Sequence, residues 1–134
     1  MTIDPRTLSA VVEVLDRQFG LDALYLYGSQ ATGRTHAGSD VDLAGLFARS
    51  PTPTELFEAG LELAQLLERE VDLIDLDRVS PLLVRQVLRS GRLVHESNPG
   101  RQVALAVKNT SLYEDLKILR RDGEQQLLRR FRDG

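Results

Sequence analysis

Apolar and polar positions follow two rhythms along this chain. Over residues 4–19, Leu8, Val11, Val12 and Leu15 recur at helical spacing, with Asp4-Pro5 as a start and Gly20 as a stop. Leu24-Tyr25-Leu26-Tyr27 is a short β-prone run ending at Gly28-Ser29, and a second run over residues 41–47 follows a Gly- and Thr-rich stretch. The two runs predict strands flanking a loop with room for one helical turn. Period two puts Tyr25 and Tyr27 on one sheet face, where they pack in the core.

Further along, Glu55-Leu56-Phe57, Leu61, Leu63, Leu66 and Leu67 predict an amphipathic helix over residues 54–68, with Thr54 as N-cap after Pro51 and Pro53. Val71-Asp72-Leu73-Ile74-Asp75-Leu76 follows as a third strand. Ser80-Pro81 opens another helix that runs through Leu88 and stops near Gly91, and Arg92-Leu93-Val94-His95-Glu96 is a short strand. Ser97-Asn98-Pro99-Gly100 breaks the chain. Beyond it Val103, Val107, Leu112, Leu116, Leu119, Leu127, Leu128 and Phe131 recur among many arginines, predicting one or two helices with Asp122-Gly123 as an interruption. The organisation expected is a body over residues 1–98 and a helical tail over 99–134. The tail either docks a partner or closes the same domain.

Composition narrows the classes. A chain of 134 residues supports one core, and no apolar run approaches the roughly 20 residues of a membrane span. The first residues lack a secretory signal, so a soluble, cytoplasmic protein is the default expectation. The absence of cysteine excludes disulfides, thiolate metal sites and a cysteine nucleophile, leaving oxygen or histidine to hold any metal. A net charge of -3 argues against direct nucleic-acid binding, which calls for a basic surface. The charge is uneven, however: residues 1–100 carry 9 Lys and Arg against 15 Asp and Glu, residues 101–134 carry 8 against 5.

The candidate chemistry lies between the first two strands. In Asp40-Val41-Asp42-Leu43 the carboxylates are two residues apart on a predicted strand, so both point to one face. Like charges held side by side repel unless a cation neutralises them, and an all-oxygen donor set suits Mg²⁺. Upstream, Gly28-Ser29 directly follows an apolar strand and Gly33 comes soon after. Such a turn aims backbone N–H groups at an anion, and a serine hydroxyl can donate to phosphate. Each half alone also fits an ordinary strand end or a capped turn.

Together, Gly28-Ser29-Gln30-Ala31-Thr32-Gly33 and, five residues on, Ser39-Asp40-Val41-Asp42-Leu43 resemble the signature of polymerase-beta-like nucleotidyltransferases at every fixed position. Within that family the chain is most similar to the minimal nucleotidyltransferases, the antitoxins of HEPN/MNT toxin-antitoxin pairs. The similarity covers roughly residues 8–98, including the third strand and Leu88-Arg89-Ser90-Gly91-Arg92-Leu93. It implies an α+β nucleotidyltransferase fold, a small mixed β-sheet with helices packed mainly on one face and a C-terminal helical tail.

It also implies that Asp40 and Asp42 hold two Mg²⁺ ions with a third carboxylate, and that Gly28, Ser29 and Arg34 hold the outgoing phosphates of ATP. Asp72 opens the third strand's apolar run and is the favoured third acid; Asp75 competes. Their odd spacing puts them on opposite faces, so only one joins the site. The implied reaction is transfer of AMP to a tyrosine hydroxyl of a cognate HEPN ribonuclease toxin, silencing it. Two alternatives are an antitoxin acting by stoichiometric binding, and a nucleotidyltransferase acting on a small molecule such as an aminoglycoside. His36 and His95 read as surface or structural residues. Arg85 and Arg89, four apart on one helix face, read as salt-bridge partners of surface Glu or as contacts for phosphate or partner.

Overall fold

A computed structural model describes residues 3–28 and 40–133. Asp4 caps the first helix, α1 (Pro5–Phe19), by accepting from the Arg6 N–H, and Gly20 ends it with φ 70°. β1 (Leu21–Tyr27) begins at once, three residues earlier than the apolar run suggested, and leads to Gly28. β2 (Val41–Phe47) pairs with it antiparallel.

Helix α2 (Pro53–Leu67) is capped by Thr52 rather than Thr54. The Thr52 side chain accepts from the Glu55 N–H at 3.1 Å, and a Glu55 carboxylate oxygen accepts from the Thr52 N–H at 3.0 Å. This reciprocal capping box places Pro53 at the first helical position, where its missing N–H costs nothing. β3 (Val71–Asp75), α3 (Pro81–Ser90, capped by Ser80) and β4 (Arg92–Glu96) follow.

The sheet order is β3-β2-β1-β4, with β2 and β3 parallel and the other neighbours antiparallel. One face of the sheet, built from Leu24, Leu26, Val41, Leu43, Phe47 and Leu73, packs on α1 and α2 through Val11, Leu15, Ala59 and Leu63. Burying each of the larger apolar side chains stabilises by about 1.5–3 kcal/mol. The α+β class and mixed sheet are as expected, but the helices are not confined mainly to one face. Ala23, Tyr25, Tyr27, Ala44 and Leu46 form a second buried surface under Val84, Val87 and Leu105. Apolar residues on both pleats of β1 and β2 require a cover on each side.

The tail is one helix, α4 (Pro99–Asp133), uninterrupted at Asp122-Gly123. A Cβ at Gly123 would meet nothing within 4 Å. A solvent-facing glycine costs a helix only about 1 kcal/mol, too little to break one of this length. Its first turn is pinned by Arg101, which donates to Asp22 at 3.1 Å, to Asp77 at 2.7 Å and to the Phe47 carbonyl at 3.1 Å. Leu105 and Asn109 are buried against the body, whereas Ile118 and Leu119 are exposed. Asn109 donates to the Pro81 carbonyl and Tyr113 stacks with Arg85, so α3 and α4 pack against each other. Among the described residues no helix is long and apolar enough to cross a membrane.

Candidate active site

Register builds the site. Tyr27 on β1 pairs with Asp42 on β2, and Asp42 pairs with Asp72 on β3, so the three side chains stand in one row across neighbouring strands. Asp40, exposed and just ahead of β2, adds to the negative field at Asp42. The Tyr27 hydroxyl lies 3.5 Å from an Asp72 carboxylate oxygen. Gly28 closes the row with φ 67°, the left-handed region that favours glycine, and a Cβ there would stand 2.5 Å from Asp42 Oδ2.

The electrostatics follow from the crowding. Burial first, then the charges of Asp72 and Asp40, push the Asp42 carboxyl above its ordinary range. Burial first, then the carboxylates of Asp72 and Asp42, raise the Tyr27 phenol, keeping it protonated. Asp42 and Asp72 sit in register with the charge of Asp40 nearby, and carboxylate oxygens are the donors a hard divalent cation such as Mg²⁺ takes, although among the described residues no three acidic or histidine side chains are gathered to hold a metal ion.

Asp75 is placed differently. It pairs with Gly45, three residues beyond Asp72 and on the opposite face, and is only 2% exposed. One oxygen accepts from the Asp77 N–H at 2.9 Å; the other has no hydrogen-bond partner and lies 3.9 Å from Arg78 Nε. Burial first, then the Asp77 charge, raise its carboxyl against the opposing Asp77 hydrogen bond and the Arg78 and Arg101 charges. Of the two competing acids, the fold brings Asp72 to Asp42 and takes Asp75 away.

Ser29, Gly33, Arg34 and His36 lie outside the described residues. His95 is half-buried on β4, paired with Leu24. Arg85 sits with its guanidinium 4.0 Å from the Tyr113 ring centroid instead of meeting a surface glutamate, and with Arg89 it lines a groove of about 410 Å³. A second cavity of about 300 Å³, beside Val41, Ile3 and Leu67, opens on the α1–α2 side, away from the carboxylates. Sequence reasoning treated Tyr27 as core packing alone and missed its hydroxyl. The available signal was a Tyr, with a polar tip, immediately before the glycine turn.

A mixed sheet that lines up carboxylates beside a glycine turn defines a nucleotidyltransferase. The chain belongs to the family described as Polymerase beta, Nucleotidyltransferase, whose match spans residues 9–100. It is 34% identical over 100 residues to protein adenylyltransferase MntA of Shewanella oneidensis, covering 75% of this chain and 71% of that protein. Among solved structures it is similar to a toxin-antitoxin crystallised with AMP-PNP, with TM-score 0.80 and 28% identity over 94% of this chain and 99% of that one. It is also similar to the complex of tri-AMPylated Shewanella oneidensis HEPN toxin with MNT antitoxin, with TM-score 0.75 and 26% identity over 92% and 97% of the two chains.

Proposed function

We propose that this chain is a Mg²⁺-dependent protein adenylyltransferase that transfers AMP from ATP to a tyrosine hydroxyl of a cognate HEPN toxin in the cytoplasm and thereby neutralises it. The observation that carries this reading is the Asp42–Asp72 pairing beside the positive-φ turn at Gly28. The likeness to MntA and to a complex containing an AMPylated toxin supports a protein acceptor.

In this reading Asp40, Asp42 and Asp72 would hold two Mg²⁺ ions, which would offset charge on the triphosphate during nucleotidyl transfer. Gly28, Ser29 and Arg34 hold the β- and γ-phosphates. Asp72 takes the acceptor's proton while the tyrosine oxygen bonds to the α-phosphorus and the bond to the β-phosphate oxygen breaks, releasing pyrophosphate. Residues 1–98 form the catalytic body. Residues 99–134 form the docking element, with Ile118 and Leu119 on the exposed part of α4 available to a partner.

The test is incubation with ATP, Mg²⁺ and the purified HEPN protein encoded next to it, read by intact mass. Gain of AMP by the toxin, lost in Asp42→Ala while the circular dichroism spectrum is kept, is the expected result. A tight complex without mass gain points instead to stoichiometric neutralisation. An unmodified toxin alongside a nucleotidylated aminoglycoside points to a small-molecule acceptor.

A further inference from the structure

We propose that Tyr27 is a positioning residue of this site: its phenol reaches from the end of β1 across β2 and hydrogen-bonds the Asp72 carboxylate, fixing its orientation beside Asp42. The inference rests on the reading of Asp72 as the third carboxylate. Tyr27 and Asp72 belong to strands separated by β2, so their backbones stand roughly 9–10 Å apart. Only a long side chain bridges that gap, and Tyr27 does so with its hydroxyl 3.5 Å from Asp72 Oδ2.

The two ends of the contact differ in freedom. Tyr27 is 7% exposed and clamped among Ala23, Tyr25 and Ala44, whereas Asp72 is exposed at the edge of the sheet. A rigid ring therefore presents a donor to a carboxylate on an edge strand. An ionised carboxylate only accepts, so the phenol is the donor. The separation is long for an O–H···O contact, as catalytic contacts often are before the site is loaded. Because Tyr27 also precedes Gly28, the same residue ties the third acid to the phosphate turn.

Tyr27→Phe removes the hydroxyl and keeps the ring, so the core stays packed. The probe is Mn²⁺, titrated by electron paramagnetic resonance into the full chain without nucleotide, for wild type, Tyr27→Phe, Asp72→Asn and the double variant. An outer-shell partner of this kind is worth about 10- to 100-fold in metal affinity or turnover. The expected result is Mn²⁺ binding weakened by that factor in Tyr27→Phe, with no further loss when Asp72→Asn is already present. In the transfer assay kcat falls by a similar factor while KM for ATP is unchanged. Unaltered Mn²⁺ affinity, equal losses in both backgrounds, or AMP recovered on Tyr27 of the wild-type chain would overturn the proposal. Absence of any transfer by the wild-type chain would sink the proposed function but leave the Mn²⁺ cycle decisive for Tyr27.

Discussion

Substituting Gly28 by Ala tests whether the turn and the carboxylates act as one unit. At φ 67° an L-residue pays about 1–2 kcal/mol for its Cβ. The added carbon would also stand 2.5 Å from Asp42 Oδ2. An ordinary carbon–oxygen contact is about 3.3–3.6 Å, so the carboxylate must retreat by about 1 Å. The obstacle is the free end of a side chain, so the fold survives and the displacement falls on the Asp42 oxygen facing the turn. A misplacement of about 1 Å can cost about 100-fold in rate. At roughly 3–5 °C per kcal/mol for a chain of this size, the melting temperature drops by about 3–10 °C.

Gly20→Ala supplies the control. Gly20 has φ 70° and its Cβ would stand 2.9 Å from the Ala48 Cβ, at the opposite end of β1 from Asp42. It should lose at least as much stability while retaining transfer at temperatures where it is folded. Both variants are melted by circular dichroism and assayed for AMP transfer at 20 °C below their own midpoints, the offset being about twice the largest shift expected. Wild-type turnover in Gly28→Ala, or an equal rate loss in Gly20→Ala, refutes the coupling of turn and carboxylate.

Asp72→Asn should abolish transfer, and Asp75→Asn should keep it within about 3-fold, as expected of a site outside the chemistry; the reverse pattern in a mass-based assay would move the third acid to Asp75. Because the folded state raises the Asp75 carboxyl, native protein binds the proton more tightly than unfolded chain, so stability falls as pH rises from the ordinary value of 3.8 through the raised one. Asp75→Asn should flatten that fall in a pH series of melts. Asp42 is raised in the same sense, so Asp42→Asn should melt higher than wild type at neutral pH in EDTA and lose the stabilisation wild type gains from added Mg²⁺. Arg101→Met, removing charged hydrogen bonds to Asp22 and Asp77, should cost about 1.5–3 kcal/mol by urea unfolding without changing transfer per folded molecule.

Strand identity and the opposite facing of Asp72 and Asp75 were legible in the sequence because period two needs no partner to be read: acids three residues apart on one strand do not share a face. Lateral register was not legible. Nothing in Val71-Asp72-Leu73 states that Asp72 lies level with Asp42 rather than a pleat away; the parallel pairing set by α2's crossover decides it. The Thr52 cap was hidden behind Pro53, since Thr54 carries the same hydroxyl and only the reciprocal bond with Glu55 separates them. The continuity of α4 through Gly123 escaped because a turn dipeptide was weighed without the length of helix around it. Helices on both faces were foreshadowed by Tyr25 and Tyr27, whose shared pleat demanded a cover that the one-sided arrangement left out.

The two faces of the sheet consequently answer to different pressures. On the α1–α2 side Leu24, Leu26, Leu43 and Leu73 form an apolar layer, and a truncation there such as Leu43→Ala creates a cavity worth about 2–5 kcal/mol. On the other side the same strands carry Ala23, Ala44 and Leu46 with the amphipathic Tyr25, and end in Tyr27, Asp42 and Asp72. Packing those last two positions with leucine would remove repulsion and add burial. That the sheet instead gathers mutually repelling acids at the one end where a glycine turn meets them is a cost to the unliganded fold, borne by the apolar face behind it. A site of this kind would bind a neutralising cation more tightly for being destabilising when empty, because relief of the charge between Asp42 and Asp72 would add to the ion's own attraction.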